Sequence, residues 1–209
     1  MGLTTGRWLM TPRGCAVLYV PFRNQGLIRT TFPTSWGYET PEKRREMHER
    51  EYFVRLFQKV STTDNTPYLC VPLALKFRQE VCGGEAAIRT YNEKVAREGG
   101  ELMAKILGTE VLSNTSGSLQ QCCFVNVRLP LTPSELSTDP VEKAQVAAWI
   151  QQKTPDEYNT YIPTKFYAGA YWSRLSGQIY LTTSDFEWAA RTLLDLCNRA
   201  KAGEWKELK

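Results

Sequence analysis

The sequence predicts a mixed α+β (or α/β) fold in two unequal parts, and three observations carry that prediction. Cys15 to Val20 is a continuous apolar run bounded by Gly14 and Pro21, the pattern of a buried strand. Glu85 to Leu107 is a long stretch with Ile88, Tyr91, Val95, Leu102 and Ile106 spaced by three, four or seven, which gives a helix one apolar face. After Gly108, short β-prone runs alternate with helical patterns, as in a small sheet covered by helices. The expected division is residues 1–84, with too few strands to stand as a domain of their own, and residues 85–209, a long helix followed by a small α+β domain.

Taken in order, Leu27 to Thr31 suits a second short strand. Thr40 to Arg55 is dense in charge and reads as a surface helix starting at Pro41, since proline suits the first helical turn. Ser61 to Pro67 is a polar turn, and Tyr68 to Val81 a helix stopped by Gly83-Gly84. Gly99-Gly100 inside the long helix costs about 1 kcal/mol per residue relative to alanine, so the pair predicts a kink or close packing.

Further along, Glu110 to Leu112 is a short β-prone piece, and Cys122 to Leu129 a strand closed by Pro130. Asp139-Pro140-Val141-Glu142 reads as a helix start, with Asp as cap and Pro at the first position, and the helix is expected to reach about Gln152. Tyr158 to Ile162 and Tyr171 to Ser176 read as strands separated by a turn containing Pro and Gly. Ser184-Asp185-Phe186-Glu187 has the form of a capping box, leading a helix that buries Phe186, Ala190, Leu193, Leu194 and Cys197.

The chain has 209 residues, a net charge of +4 and a hydrophobic fraction of 42%, values that suit a soluble globular protein. Basic residues are mixed with acids, as in Glu42-Lys43-Arg44-Arg45-Glu46, which is no nucleic-acid footprint. No apolar run approaches the ~20 residues of a membrane span, and Met1 to Met10 lacks the pattern of a secretory signal. The cytoplasm, with its cysteines reduced, is the expected compartment. The six cysteines form no CxxC pair and His48 is the only histidine, which argues against a metal site and against Cys-His or Ser-His nucleophiles.

Four stretches carry chemistry by resemblance. Gly6-Arg7-Trp8 is followed by Thr11-Pro12-Arg13-Gly14 and the apolar run to Pro21. Ser61-Thr62-Thr63-Asp64 precedes a helical segment. Asn126-Val127-Arg128-Leu129-Pro130 is a strand core. Tyr171-Trp172-Ser173-Arg174-Leu175-Ser176 leads into Ser184-Asp185-Phe186-Glu187-Trp188. In this order and spacing the chain resembles the C-terminal half of class V aminotransferase-like, pyridoxal 5'-phosphate-dependent enzymes. Its texture is similar to the members that resemble isopenicillin N epimerase and hercynylcysteine sulfoxide lyase.

That resemblance implies a partial fold type I PLP-transferase: a remnant of the large-domain sheet in 1–84, a linking helix, and the small C-terminal domain. It implies an amino-acid substrate and a dimer. Thr63 matches the threonine that binds the cofactor phosphate across a dimer, although Thr62 stands where the family has glycine. Arg174 matches the arginine that takes the substrate α-carboxylate, a task suited to a planar, bidentate guanidinium. Trp8, Tyr167 and Trp172 are candidate pocket aromatics. Arg7 stands where the family has its Schiff-base lysine, and a guanidinium stays protonated and is a poor nucleophile.

The expectation is therefore a truncated enzyme, inactive alone, whose ancestral chemistry is transfer, epimerisation or C–S/β-elimination on an amino acid. The alternative is a non-catalytic subunit that dimerises with a full-length relative. A half-enzyme is expected to expose the Cys15–Val20 strand and the apolar face of the 85–107 helix.

Overall fold

The computed structural model describes residues 2–4, 8–28, 38–47, 49–58 and 64–207. The chain divides into two compact units, Met1–Val81 and Cys82–Lys209.

In the first unit, β1 (Gly2–Thr4) pairs antiparallel with β2 (Ala16–Leu18). The strand foreseen at Cys15–Val20 thus shrinks to three residues. All three are exposed, and only Cys15 and Val20 at its ends are buried. The apolar run that reads as a buried strand is therefore solvent-facing among the described residues, which is the exposure expected of Cys15–Val20 in a half-enzyme. Leu27 follows α1 (Phe22–Gln25), and the Ile28 N–H bonds the Gln25 carbonyl in a turn rather than a strand; residues 29–31 lie outside the described ones.

The charged segment forms two helices, α2 (Pro41–Glu46) and α3 (Glu49–Gln58), the second burying Tyr52 and Leu56. The next helical segment also divides, into α4 (Thr66–Leu69) and α5 (Val71–Glu80). Pro67 and Pro72 each sit in a first turn, where a missing N–H costs nothing. Arg78 on α5 is buried and donates from its guanidinium to the Trp8 carbonyl at 2.6 Å.

The second unit is built on α6 (Gly84–Leu107), entered through Gly83 and left through Gly108, both in left-handed backbone. Its buried face is Ile88, Asn92, Val95, Ala96, Gly99, Gly100, Met103, Ala104 and Leu107. That face is rotated from the expected one: Tyr91 is exposed, and Leu102 and Ile106 are half-buried at its margin. The glycine pair accounts for the rotation, because the closest packing occurs at these two residues. A Cβ on Gly99 would lie 2.4 Å from the Phe186 ring, and one on Gly100 2.3 Å from a Val125 methyl. The expected exposure of this helix face is therefore corrected, since partners from its own unit fill it.

The sheet has three antiparallel strands in the order β3–β5–β4: β3 (Phe124–Arg128), β4 (Thr164–Tyr167) and β5 (Ala170–Ser176). Val111 bridges Val127 at its edge. After the short α7 (Pro133–Leu136), α8 (Pro140–Tyr158) starts on the Asp139 cap, whose carboxylate accepts the Val141 N–H at 2.8 Å. This helix runs through Pro155 and six residues beyond the expected end, so Tyr158 closes a helix rather than opening a strand. The true strand begins two residues after Ile162, once Pro163 has passed. Ala168 and Gly169, both at positive φ, close the β4–β5 hairpin, as a two-residue turn of the required hand demands.

The last long helix, α9 (Thr183–Lys201), is capped by Thr182 and Asp185 in a capping box. The box lies two residues before the one read from Ser184 and Glu187, because Asp185 reaches back to the Thr182 N–H at 2.7 Å. Phe186, Ala189, Ala190, Leu193, Leu196, Cys197 and Ala200 face the core, while Leu194 packs at its rim. The core joins α6, α8 and α9 to one face of the sheet through Met103, Val127, Leu129, Trp149, Ile150 and Tyr171. No helix of the described residues is long and apolar enough to cross a membrane.

Candidate functional site

Alternation along a strand sends successive side chains to opposite faces. On β5, Tyr171 and Ser173 point into the core and Arg174 is exposed. On β3, Val125 and Val127 point inward, leaving Phe124, Asn126 and Arg128 on the outer face. Register aligns Arg174 with Asn126, Trp172 with Arg128, and Ser176 with Phe124. Lys165 of β4 lies opposite Trp172. The outer face of the sheet thus carries Arg174 at its centre, bordered by polar and aromatic neighbours.

Arg174 rests on a rigid strand. Its N–H donates to the Pro163 carbonyl at 3.0 Å. The preceding residue, Ser173, shares a buried 2.8 Å hydrogen bond with Thr164, whose own N–H reaches the Gln151 side chain at 3.3 Å. This polar bridge ties the strand to β4 and α8 from the core side. On the outer side, the Arg174 guanidinium carbon lies 5.2 Å from the centroid of the Phe124 ring, a cation–π distance.

The two arginines of this face differ in their partners. Arg128 is bound to Glu110 at 2.9 Å. Arg174 forms no ion pair among the described residues, so its fork is available to an external carboxylate. The candidate aromatics separate. Tyr167 and Trp172 share the hairpin beside Arg174, where the Trp172 Nε1–H donates to the Tyr167 carbonyl at 3.1 Å. Trp8 belongs to the other unit.

Arg7 and Thr63 both lie outside the described residues. Next to Thr63, Asp64 accepts the Thr66 N–H at 2.9 Å, and hydrogen bonds from the Thr66 side chain and backbone hold its carboxyl below the usual range. Of the positions that the resemblance singles out, the described residues include Trp8, Tyr167, Trp172 and Arg174. The positions that the resemblance assigns to the cofactor are not among them, so no step is derived through pyridoxal phosphate. Of two neighbours of Arg174, Phe124 was not named in the sequence reading, and Asn126 entered it only as the start of a strand motif with no role of its own. Only the pairing register brings them to it, across some fifty residues of chain.

The chain matches no family model. It is 36% identical over 225 residues to the L-cysteine desulfhydrase-like protein lolT2 of Epichloe uncinata, a match covering 95% of this chain and 48% of that protein. It is 37% identical over 218 residues to lolT1 of the same organism, covering 91% and 48%. To the hercynylcysteine sulfoxide lyase of Schizosaccharomyces pombe it is 32% identical over 192 residues, covering 92% and 44%. The chain spans about half the length of the curated relatives it matches. Over nearly all of its own length, then, the chain is a homologue of half of the L-cysteine desulfhydrase-like and hercynylcysteine sulfoxide lyase proteins.

Proposed function

We propose that this chain carries the substrate-binding part of a pyridoxal-phosphate-type lyase acting on cysteine or a cysteine derivative. The observation that carries the reading is Arg174: a guanidinium fixed on a core-anchored strand, backed by an aromatic ring and lacking an acid partner among the described residues. The names of the homologues support lyase or desulfhydrase-like chemistry. In this reading the fold is the small domain and linking helix of a fold type I enzyme, with residues 1–84 belonging to the larger domain.

When bound, pyridoxal phosphate supplies an electron sink for bond cleavage at Cα or Cβ. Arg174 grips the α-carboxylate bidentately and fixes the orientation of the Cα bonds. Trp172 and Tyr167 border that grip. Thr63 would hold the cofactor phosphate of a partner subunit, its hydroxyl adding a donor without a competing charge. Arg7, at the place of the family lysine, cannot serve as the amine, so the chain alone is inactive.

The same residue favours a second reading, in which the chain is a non-catalytic subunit that lends Arg174 and Thr63 to a full-length relative. Sulfide release from L-cysteine separates the two when measured with added pyridoxal phosphate, for the chain alone and for the chain co-expressed with such a relative. The substrate-binding reading expects no release by the chain alone. The partner reading expects release by the complex that falls on Arg174→Ala in this chain. Release by the isolated chain would overturn the inactivity, and a complex indifferent to Arg174 would overturn the assigned role.

A further inference from the structure

Antiparallel strands alternate between pairs that exchange backbone hydrogen bonds and pairs that do not, and in the latter the side chains stand closer. The Arg174 N–H is directed to Pro163, on the β4 side, at 3.0 Å. The Asn126 carbonyl is directed the other way, accepting the Leu112 N–H at 2.9 Å. The flanking Gly177 N–H to Cys123 carbonyl and Leu129 N–H to Tyr171 carbonyl bonds, at 2.7 and 2.8 Å, fix the same alternation. Asn126 and Arg174 are therefore a non-hydrogen-bonded pair, the close kind, with both side chains on the outer face.

We infer that Asn126 is a second carboxylate-binding residue and that Phe124 is a positioning residue for Arg174, an inference that rests on the substrate-binding reading above. An amide donor beside a guanidinium adds a hydrogen bond to one carboxylate oxygen without adding charge. Asn126 is half-buried, so it loses little rotamer freedom on binding. Phe124, two residues earlier on the same face, has its ring centroid 5.2 Å from the Arg174 guanidinium carbon. A flat ring there restricts the long arginine side chain before any ligand arrives, which lowers the ordering cost of binding. Arg128, further along the strand, is held by Glu110. The carboxylate site is thus centred on Arg174, Asn126 and Phe124 rather than spread along the strand.

The test uses the whole chain, with S-methyl-L-cysteine as probe and its methyl ester, which lacks the carboxylate, as control. ¹⁵N NMR follows Arg174 Nε and Asn126 Nδ2. The expected result is that the acid shifts both resonances and the ester neither. Asn126→Ala should weaken binding about tenfold, the weight of one hydrogen bond to a charged group. Asn126→Asp should keep the fold and abolish binding, because the new carboxylate occupies Arg174. Phe124→Leu should weaken binding and speed exchange of the Arg174 Nε–H, and Phe124→Tyr should restore both. If Arg174→Ala abolishes binding while Asn126→Ala and Phe124→Leu leave it unchanged, the inference is overturned and the reading of Arg174 stands. If the acid and ester act alike on the wild-type chain, both fall.

Discussion

The Phe186 ring of α9 lies against the bare Cα of Gly99 on α6, so close that a methyl group on Gly99 would sit within 2.8 Å of three ring carbons. Phe186 is fully buried and cannot swing away. Gly99→Ala gains about 1 kcal/mol of helix propensity but forces overpacking that costs about 3 kcal/mol, so net destabilisation is expected. Urea melts of the wild type and of Gly99→Ala check this. Phe186→Leu in the alanine background should recover part of the loss, since contacting sites couple. Additive losses would mean that the ring is not the obstacle.

Glu157 accepts from Arg199 at 2.6 and 3.1 Å and from Lys153 at 2.6 Å. These partners, Arg199 foremost, pull its carboxyl down to about 2. A carboxylate lowered on folding stabilises the fold above its ordinary pKa and loses that contribution as it protonates. The loss is thus expected as pH falls from the usual glutamate range toward 2. Glu157→Gln should lower stability at neutral pH and flatten that acid limb. An unchanged limb in the variant would show that other carboxylates carry it.

Tyr171 is completely buried, and its hydroxyl has no hydrogen-bond partner among the described residues. Burial pushes the phenol up to about 12. Removing an unpaired buried polar atom relieves a desolvation cost, so Tyr171→Phe should melt at the same temperature or higher. A loss of more than about 2 kcal/mol would reveal a partner for the hydroxyl.

Hydrogen exchange should protect residues 108–209 as one block and leave residues 1–84 the faster-exchanging part. The second unit has the continuous core, whereas the first leaves Val17, Leu18, Leu27, Leu69 and Leu73 exposed. Equal protection along the chain would contradict this.

Much of this fold was legible where one local signal dominated. The long helix, the strand before Pro130 and the Asp139 cap all emerged near their expected places, because period and capping chemistry are local. The misreadings have a common cause. The apolar face of α6 was taken from its largest residues, whereas the tightest contacts fall at Gly99 and Gly100, where the sequence had predicted a kink or close packing but not the direction of the buried face. The strand at 164–167 was placed too early because Tyr158 is β-prone in isolation, whereas α8 runs on through Pro155, burying Thr154 and setting Tyr158 against the core with its hydroxyl donating to Asp195 at 2.6 Å. Arg174, the proposed carboxylate binder, was picked out by its motif. Its neighbours Phe124 and Asn126 were given no role, since register is a property of paired strands and not of either one.

Gly177 ends the strand that carries Arg174. A Cβ there would lie 2.2 Å from the Asn92 carbonyl, a backbone atom that cannot rotate aside. The position therefore acts as a spacer gauge, setting how near the end of β5 can come to α6. In a saturation library it should tolerate glycine alone, and variants there should lose ligand grip through a displaced strand rather than through any lost contact. A residue with no side chain thereby gains the mutational profile of an active-site residue.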